Sequence, residues 1–102
     1  MVTLVRACRV DELPPGQACV IEGENPIAVF NAGGTLYALD DTCSHARYSL
    51  SEGDLEGETV ECVMHSSRFC LRTGRALNPP ATRPVRTYTV IVEDADIYVE
   101  TD

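Results

Sequence analysis

Both histidines of this 102-residue chain follow a cysteine at short range, as Cys43-x-His45 and, after sixteen intervening residues, as Cys62-x-x-His65. Thiolates and imidazoles presented by two separate segments can hold a metal site that neither segment could build alone. The pattern therefore constrains the fold before anything else does: the chain must bring two short loops, about twenty residues apart, to one place.

Two sites fit such a donor set. One is a structural zinc on two Cys and two His; the other is a [2Fe–2S] centre in which two His replace two Cys on one of the irons. The spacing favours the iron–sulfur site. Common zinc sites pair cysteine with cysteine and histidine with histidine within one knuckle. Here each segment supplies one of each, so the cysteines meet on one iron and the histidines on the other. A third reading, that all four are ordinary core residues, needs a coincidence at four positions and suits histidine poorly, because histidine is seldom fully buried.

The length sets one domain spanning 1–102, with a modest core that a bound metal centre would help. Hydrophobic residues at 44% and charged residues at 24% are ordinary for a globular chain. Sixteen acidic residues against eight basic ones, a formal charge of −8, exclude a nucleic-acid partner, which needs clustered Lys and Arg. The acidity suits either steering toward a basic protein surface or plain solubility. No apolar run reaches membrane-spanning length and MVTLVRACRVDEL holds no signal-peptide core, so a cytoplasmic, non-membrane protein is expected. Five cysteines without an export signal make a disulfide framework improbable. Cys8, Cys19 and Cys70 lie in apolar contexts and read as small core hydrophobes.

Short runs rich in Val, Ile, Thr and Tyr predict strands at 2–7, 18–21, 26–31, 35–39, 59–62, 69–72, 85–92 and 97–100. Turn clusters bound them, among them LPPGQ, NAGG, EGDLEGE, RTGR and EDAD. No helical period is sustained, so the chain is all-β, a sandwich or small barrel. From about 40 to 80 the runs are brief and loop-rich, which marks a metal-binding insertion on a β base made of 1–39 and 81–102.

The segments CSH and CVMH, the intervening SLSEGDLEG and the downstream FCLRTGRALNPPA resemble the Rieske-type ferredoxins of bacterial aromatic-ring-hydroxylating dioxygenases. The resemblance implies an antiparallel β-sandwich with a small cluster-binding subdomain at one tip. It implies one [2Fe–2S] cluster, with Cys43 and Cys62 on the inner iron and His45 and His65 on the exposed outer iron. It further implies a cytoplasmic, monomeric one-electron carrier between an NAD(P)H-dependent flavoprotein reductase and a terminal oxygenase. Pro79-Pro80 matches the loop that covers the cluster in such proteins, and equally suits a plain turn.

Departures from the relatives bear on potential. Respiratory Rieske proteins carry a further cysteine in each ligand loop; the matching positions are Tyr48 and Met64, so that disulfide is lost. Their sulfur-bonding tyrosine is matched by Phe69. Fewer hydrogen bonds to sulfur leave the reduced cluster less stabilised, toward the low end of roughly −150 to +300 mV. Ser67 points the other way if its hydroxyl reaches a sulfide, and otherwise reads as a solvated loop serine. Tyr48 either shields the cluster edge or shapes a docking face.

Catalysis by this chain alone is excluded by count. A mononuclear iron on two His and a carboxylate, or a Ser-His or Cys-His nucleophile pair, needs a histidine that the cluster has not used. No Gly-rich phosphate loop is present. The alternatives from other classes are a zinc-stabilised interaction module and a Rieske-like accessory subunit of another reductase. Asp40, Asp41, Glu52 and Asp54, near the tip, are the candidate docking charges.

Overall fold

A computed structural model describes residues 3–43, 48–62, 67–79 and 83–101. Among the described residues ten strands form, β1 (Thr3–Arg9), β2 (Ala18–Ile21), β3 (Ile27–Ala32), β4 (Thr35–Asp40), β5 (Asp54–Glu56), β6 (Thr59–Glu61), β7 (Arg68–Cys70), β8 (Thr87–Tyr88), β9 (Val90–Glu93) and β10 (Asp96–Thr101). They form three antiparallel sheets, ordered β1-β10-β9, β2-β3-β4-β8 and β5-β6-β7. The described helical content is two single 3₁₀ turns, Val10–Glu12 and Leu50–Glu52. The all-β antiparallel expectation holds.

The sequence IAVFNA explains the layering. A strand covered on one face alternates apolar with polar, whereas one covered on both faces reads as an apolar run. In β3 the residues Ile27 through Asn31 are all buried. Ala28 and Phe30 pack with Leu39, Leu50, Val60, Phe69, Leu71 and Val85. Ile27 and Val29 pack the other way, with Leu13, Ala38, Ile97 and Val99. The four-stranded sheet is thus a middle layer between the β1-β10-β9 sheet and the β5-β6-β7 sheet. At about 0.8 kcal/mol per buried CH₂, its two apolar faces give a small chain two cores from one set of strands.

Two strand expectations are corrected. The run 85–92 is not one strand: Thr87 and Tyr88 pair with Leu39 and Ala38 of β4, while Val90 to Glu93 pair with β10. The chain changes sheets at Thr89, whose carbonyl accepts the Glu100 N–H at 3.0 Å. Periodicity could not show this, because β-favouring residues, Thr87, Tyr88, Thr89, Val90 and Ile91, continue unbroken across the switch. Asp54–Glu56, expected as turn, is a strand paired to β6 through Leu55 opposite Val60. Its three residues carry a single apolar side chain, too little to stand out between two glycines.

Candidate metal centre

Two hairpins, built alike, present the expected ligand loops. Glu61 pairs with Arg68 at the end of the β6–β7 ladder, and one rung further the Cys62 N–H donates to the Ser67 carbonyl at 2.8 Å. Thr42 bridges Ser49, and one rung further the Cys43 N–H donates to the Tyr48 carbonyl at 2.9 Å. Each cysteine therefore sits on the last rung before its loop, fixed by the same cysteine-to-fifth-residue bond. A backbone held by a ladder is more rigid than a free loop, which is what a ligand position requires.

Both cysteines point inward. Cys43 is 3% and Cys62 1% exposed, neither is in a disulfide, and both belong to the one buried cluster that includes Phe30, Leu50, Val60 and Phe69. The structure thus gathers the two cysteines of the expected set into a single apolar environment. His45 and His65 lie outside the described residues, as do Met64 and Pro80. Among the described residues no three potential ligands gather into a metal site. Two buried thiols at matched rungs fit the thiolate half of a [2Fe–2S] centre, whose other half is the imidazole pair.

The surroundings are tightly specified. Phe69 is wholly buried, and Ala76 bridges to it across the turn that follows β7. The Leu77 N–H donates to the Arg68 carbonyl at 2.8 Å and the Asn78 carboxamide oxygen accepts the Arg68 N–H at 2.7 Å, so the segment before Pro79 is tied along β7. Ser67 is wholly buried. That overturns the solvated-loop reading of this serine.

Close approach of backbone explains two glycines. A Cβ on Gly53 would lie 2.0 Å from the Glu61 carbonyl oxygen, next to Cys62. A Cβ on Gly74, at φ +78°, would lie 2.1 Å from the Val85 carbonyl oxygen, and the Gly74 carbonyl accepts the Val85 N–H at 2.9 Å. Gly53 and Asn78 position the centre and were not found by sequence reasoning. Their one signal was that SEGDLEG and ALNPP sit beside the ligand segments.

Charges near the loops divide in a way the sequence did not show. Asp41 is buried, its Oδ1 accepting the Ser51 N–H at 2.9 Å, and Asp40 accepts the Tyr88 hydroxyl. Both are structural and unsuited to docking. Glu52 and Asp54 are exposed as expected. Tyr48 at 38% and Leu77 at 50% exposure present apolar surface to solvent.

Of the other cysteines, Cys8 and Cys19 pack, as expected, against the core cluster of Val29, Ile97 and Val99, while Cys70 joins neither cluster. None is fully buried. The Thr73 hydroxyl bonds the Cys70 thiol and lowers its pKa, with help from backbone N–H groups and Arg72. Cys19 is pushed up to about 12 by burial, then by the Cys8 sulfur and by Glu12.

Residues 3–89 match the Rieske [2Fe–2S] domain. The chain belongs to the Rieske [2Fe–2S] domain family. It is 50% identical over 97 residues to the 3-phenylpropionate/cinnamic acid dioxygenase ferredoxin subunit of Escherichia coli (strain K12), covering 94% of this chain and 92% of that protein. The ferredoxin-like match in a complex of reduced oxygenase and oxidised ferredoxin in carbazole 1,9a-dioxygenase has a TM-score of 0.90 and 35% identity, covering 94% of this chain and 91% of that one. The Sphingomonas yanoikuyae B1 ferredoxin superposes with a TM-score of 0.91 at 28% identity, covering 98% of this chain and 100% of that one. The Rieske chain carries one Rieske-type [2Fe–2S] cluster and acts in electron transfer, not as a catalyst. The zinc module is thereby set aside. No helix among the described residues is long and apolar enough to cross a membrane.

Proposed function

We propose that this chain is the ferredoxin component of an aromatic-ring dioxygenase system in the cytoplasm. It takes one electron at a time from an NAD(P)H-dependent flavoprotein reductase and delivers it to a terminal oxygenase. The observation that carries this reading is the pair of buried cysteines on equivalent last rungs of two hairpins, inside one apolar cluster. The relatives are ferredoxins of dioxygenases, and one structural neighbour is a ferredoxin complexed with an oxygenase.

The ligands of this proposal are Cys43, His45, Cys62 and His65, carried on a cluster-binding unit of about 40–80. When bound, the cluster supplies a one-electron couple. The chain does the rest. Cys43 and Cys62 hold their thiolates in a dry pocket, where Leu50, Val60 and Phe69 exclude water from the buried side. In this proposal the electron leaves by the two histidines, which fall in sequence between Cys43 and Tyr48 and between Cys62 and Ser67, and Tyr48 and Leu77 are exposed apolar side chains among the described residues. Those two side chains give a partner an apolar contact, and Glu52 and Asp54 a charged rim, so one face serves both partners in turn.

The test is an EPR spectrum of the purified protein before and after dithionite, with iron and acid-labile sulfide counted on the same sample. A silent oxidised state, a rhombic reduced signal and two irons with two sulfides per chain are expected. Cys43→Ser, Cys62→Ser, His45→Ala and His65→Ala should each lose the signal and most of the sulfide. A variant that keeps a full complement of both removes that residue from the ligand set.

A further inference from the structure

Cys8 and Cys19 meet although nothing in the electron-transfer role uses them. Their Sγ atoms lie 3.1 Å apart, both thiols are free, and both are half-buried. Cys8 sits on β1 of the outer sheet and Cys19 on β2 of the middle sheet.

A β-bulge makes the meeting possible. In the β1–β10 ladder Arg6 pairs with Tyr98, but the next rung pairs Cys8, not Ala7, with Ile97. Side chains alternate faces along a strand, so one inserted residue reverses which face every later residue presents. Without the bulge Ala7 would oppose Ile97, which is wholly buried, and Cys8 would face away. With it, Cys8 packs on the cluster of Val29, Ile97 and Val99, against which Cys19 also packs. The proposed ligand thiols Cys43 and Cys62 belong to the other core cluster, across the middle sheet.

We infer that Cys8 and Cys19 form a redox-active dithiol that closes to a disulfide, a covalent staple between the outer and middle sheets. The oxidant is a low-molecular-weight disulfide. One protein thiolate attacks it, its S–S bond breaks and one small thiol leaves. The second protein thiolate then attacks the mixed disulfide, the Cys8 Sγ–Sγ Cys19 bond forms and the second small thiol leaves. Two electrons pass from the protein sulfurs to the reagent, and the two protein thiol protons end on the two small thiols. The sulfurs need approach by only about 1 Å to reach bonding distance. The raised value at Cys19, caused by burial, the Cys8 sulfur and Glu12, makes the exchange slow near neutrality and faster in alkali.

The inference does not depend on the cluster ligands, and its test keeps the two apart. Reduced holoprotein, freed of reductant under anaerobic conditions, is incubated with glutathione disulfide, then alkylated and peptide-mapped by mass spectrometry. The expected product is a Cys8–Cys19 linked peptide, with visible absorbance retained. It should show a rise of apparent unfolding temperature on the order of 10 °C that dithiothreitol reverses. Cys8→Ser and Cys19→Ser should each show no such rise. Full alkylation of both thiols after treatment overturns the inference. So does a link found only with Cys70, with glutathione or between chains, or a linked form whose unfolding temperature is unchanged or lower.

Discussion

At Ser67 a hydroxyl lies wholly inside the protein on the rung that also holds Cys62. A hydrogen bond from it to a cluster sulfur would favour the more negative reduced state. One such bond is worth about 0.5–1.5 kcal/mol, so Ser67→Ala should lower the reduction potential by roughly 20–60 mV. Protein-film voltammetry checks this, and an unchanged potential would assign the hydroxyl to the loop instead. Cys19 gives a second expectation. Its folded value of about 12 lies above the ordinary 9, so the protonated thiol favours the folded state. That contribution is complete below pH 9 and is lost as pH rises toward 12. Under reducing conditions the urea midpoint should fall more steeply across that range in the wild type than in Cys19→Ser. Legibility at this scale followed chemistry: that Cys43 and Cys62 come together in one buried cluster was readable, because paired donors at fixed spacing have few uses. Asp41 was misread because an aspartate that bonds a distant backbone N–H looks, in a sequence, like any surface acid. Gly53 was silent because the atom it must avoid, the Glu61 carbonyl oxygen, comes from another strand.

The elements depend on such contacts between distant segments. Gly74→Ala should place a Cβ against the Val85 carbonyl and strain a positive φ, costing at least about 2 kcal/mol. Gly57→Ala meets nothing within 4 Å at φ +59°, so it should cost only the backbone strain, about 1 kcal/mol. Denaturant midpoints of the two variants should therefore differ, and equal losses would show that the Val85 contact yields. Gly53→Ala should also lower iron content, since the displaced backbone adjoins Cys62. Strands with a strong apolar signature were legible, β3 above all, because burial on both faces leaves an unbroken run. β5 was not, since Asp54–Glu56 is held by its pairing with β6 and carries little signal of its own. The boundary at Thr89 was invisible because which neighbour a strand chooses is decided by tertiary packing.

The whole molecule carries a formal charge of −8, and by the ligand inventory of a Rieske site the oxidised cluster leaves it there: a +2 core balances two thiolates. Reduction takes it to about −9. Electron transfer to a partner with a basic face should slow several-fold between about 0.05 and 0.5 M salt, as screening shortens the reach of these charges. Stopped-flow rates against ionic strength check this, and a flat profile would leave the acidity to solubility. The all-β class was legible, because turn residues punctuate the chain so regularly. The three-layer arrangement was not, since it rests on which face each strand offers to which neighbour. The switch at Thr89 has a further consequence. One unbroken piece of backbone belongs to both the outer and the middle sheet, so neither can peel away without dragging the other. Amide protons of β4 and β10 should accordingly exchange with solvent through one shared opening event, with closely matched protection, and the two sheets should melt as a single cooperative unit.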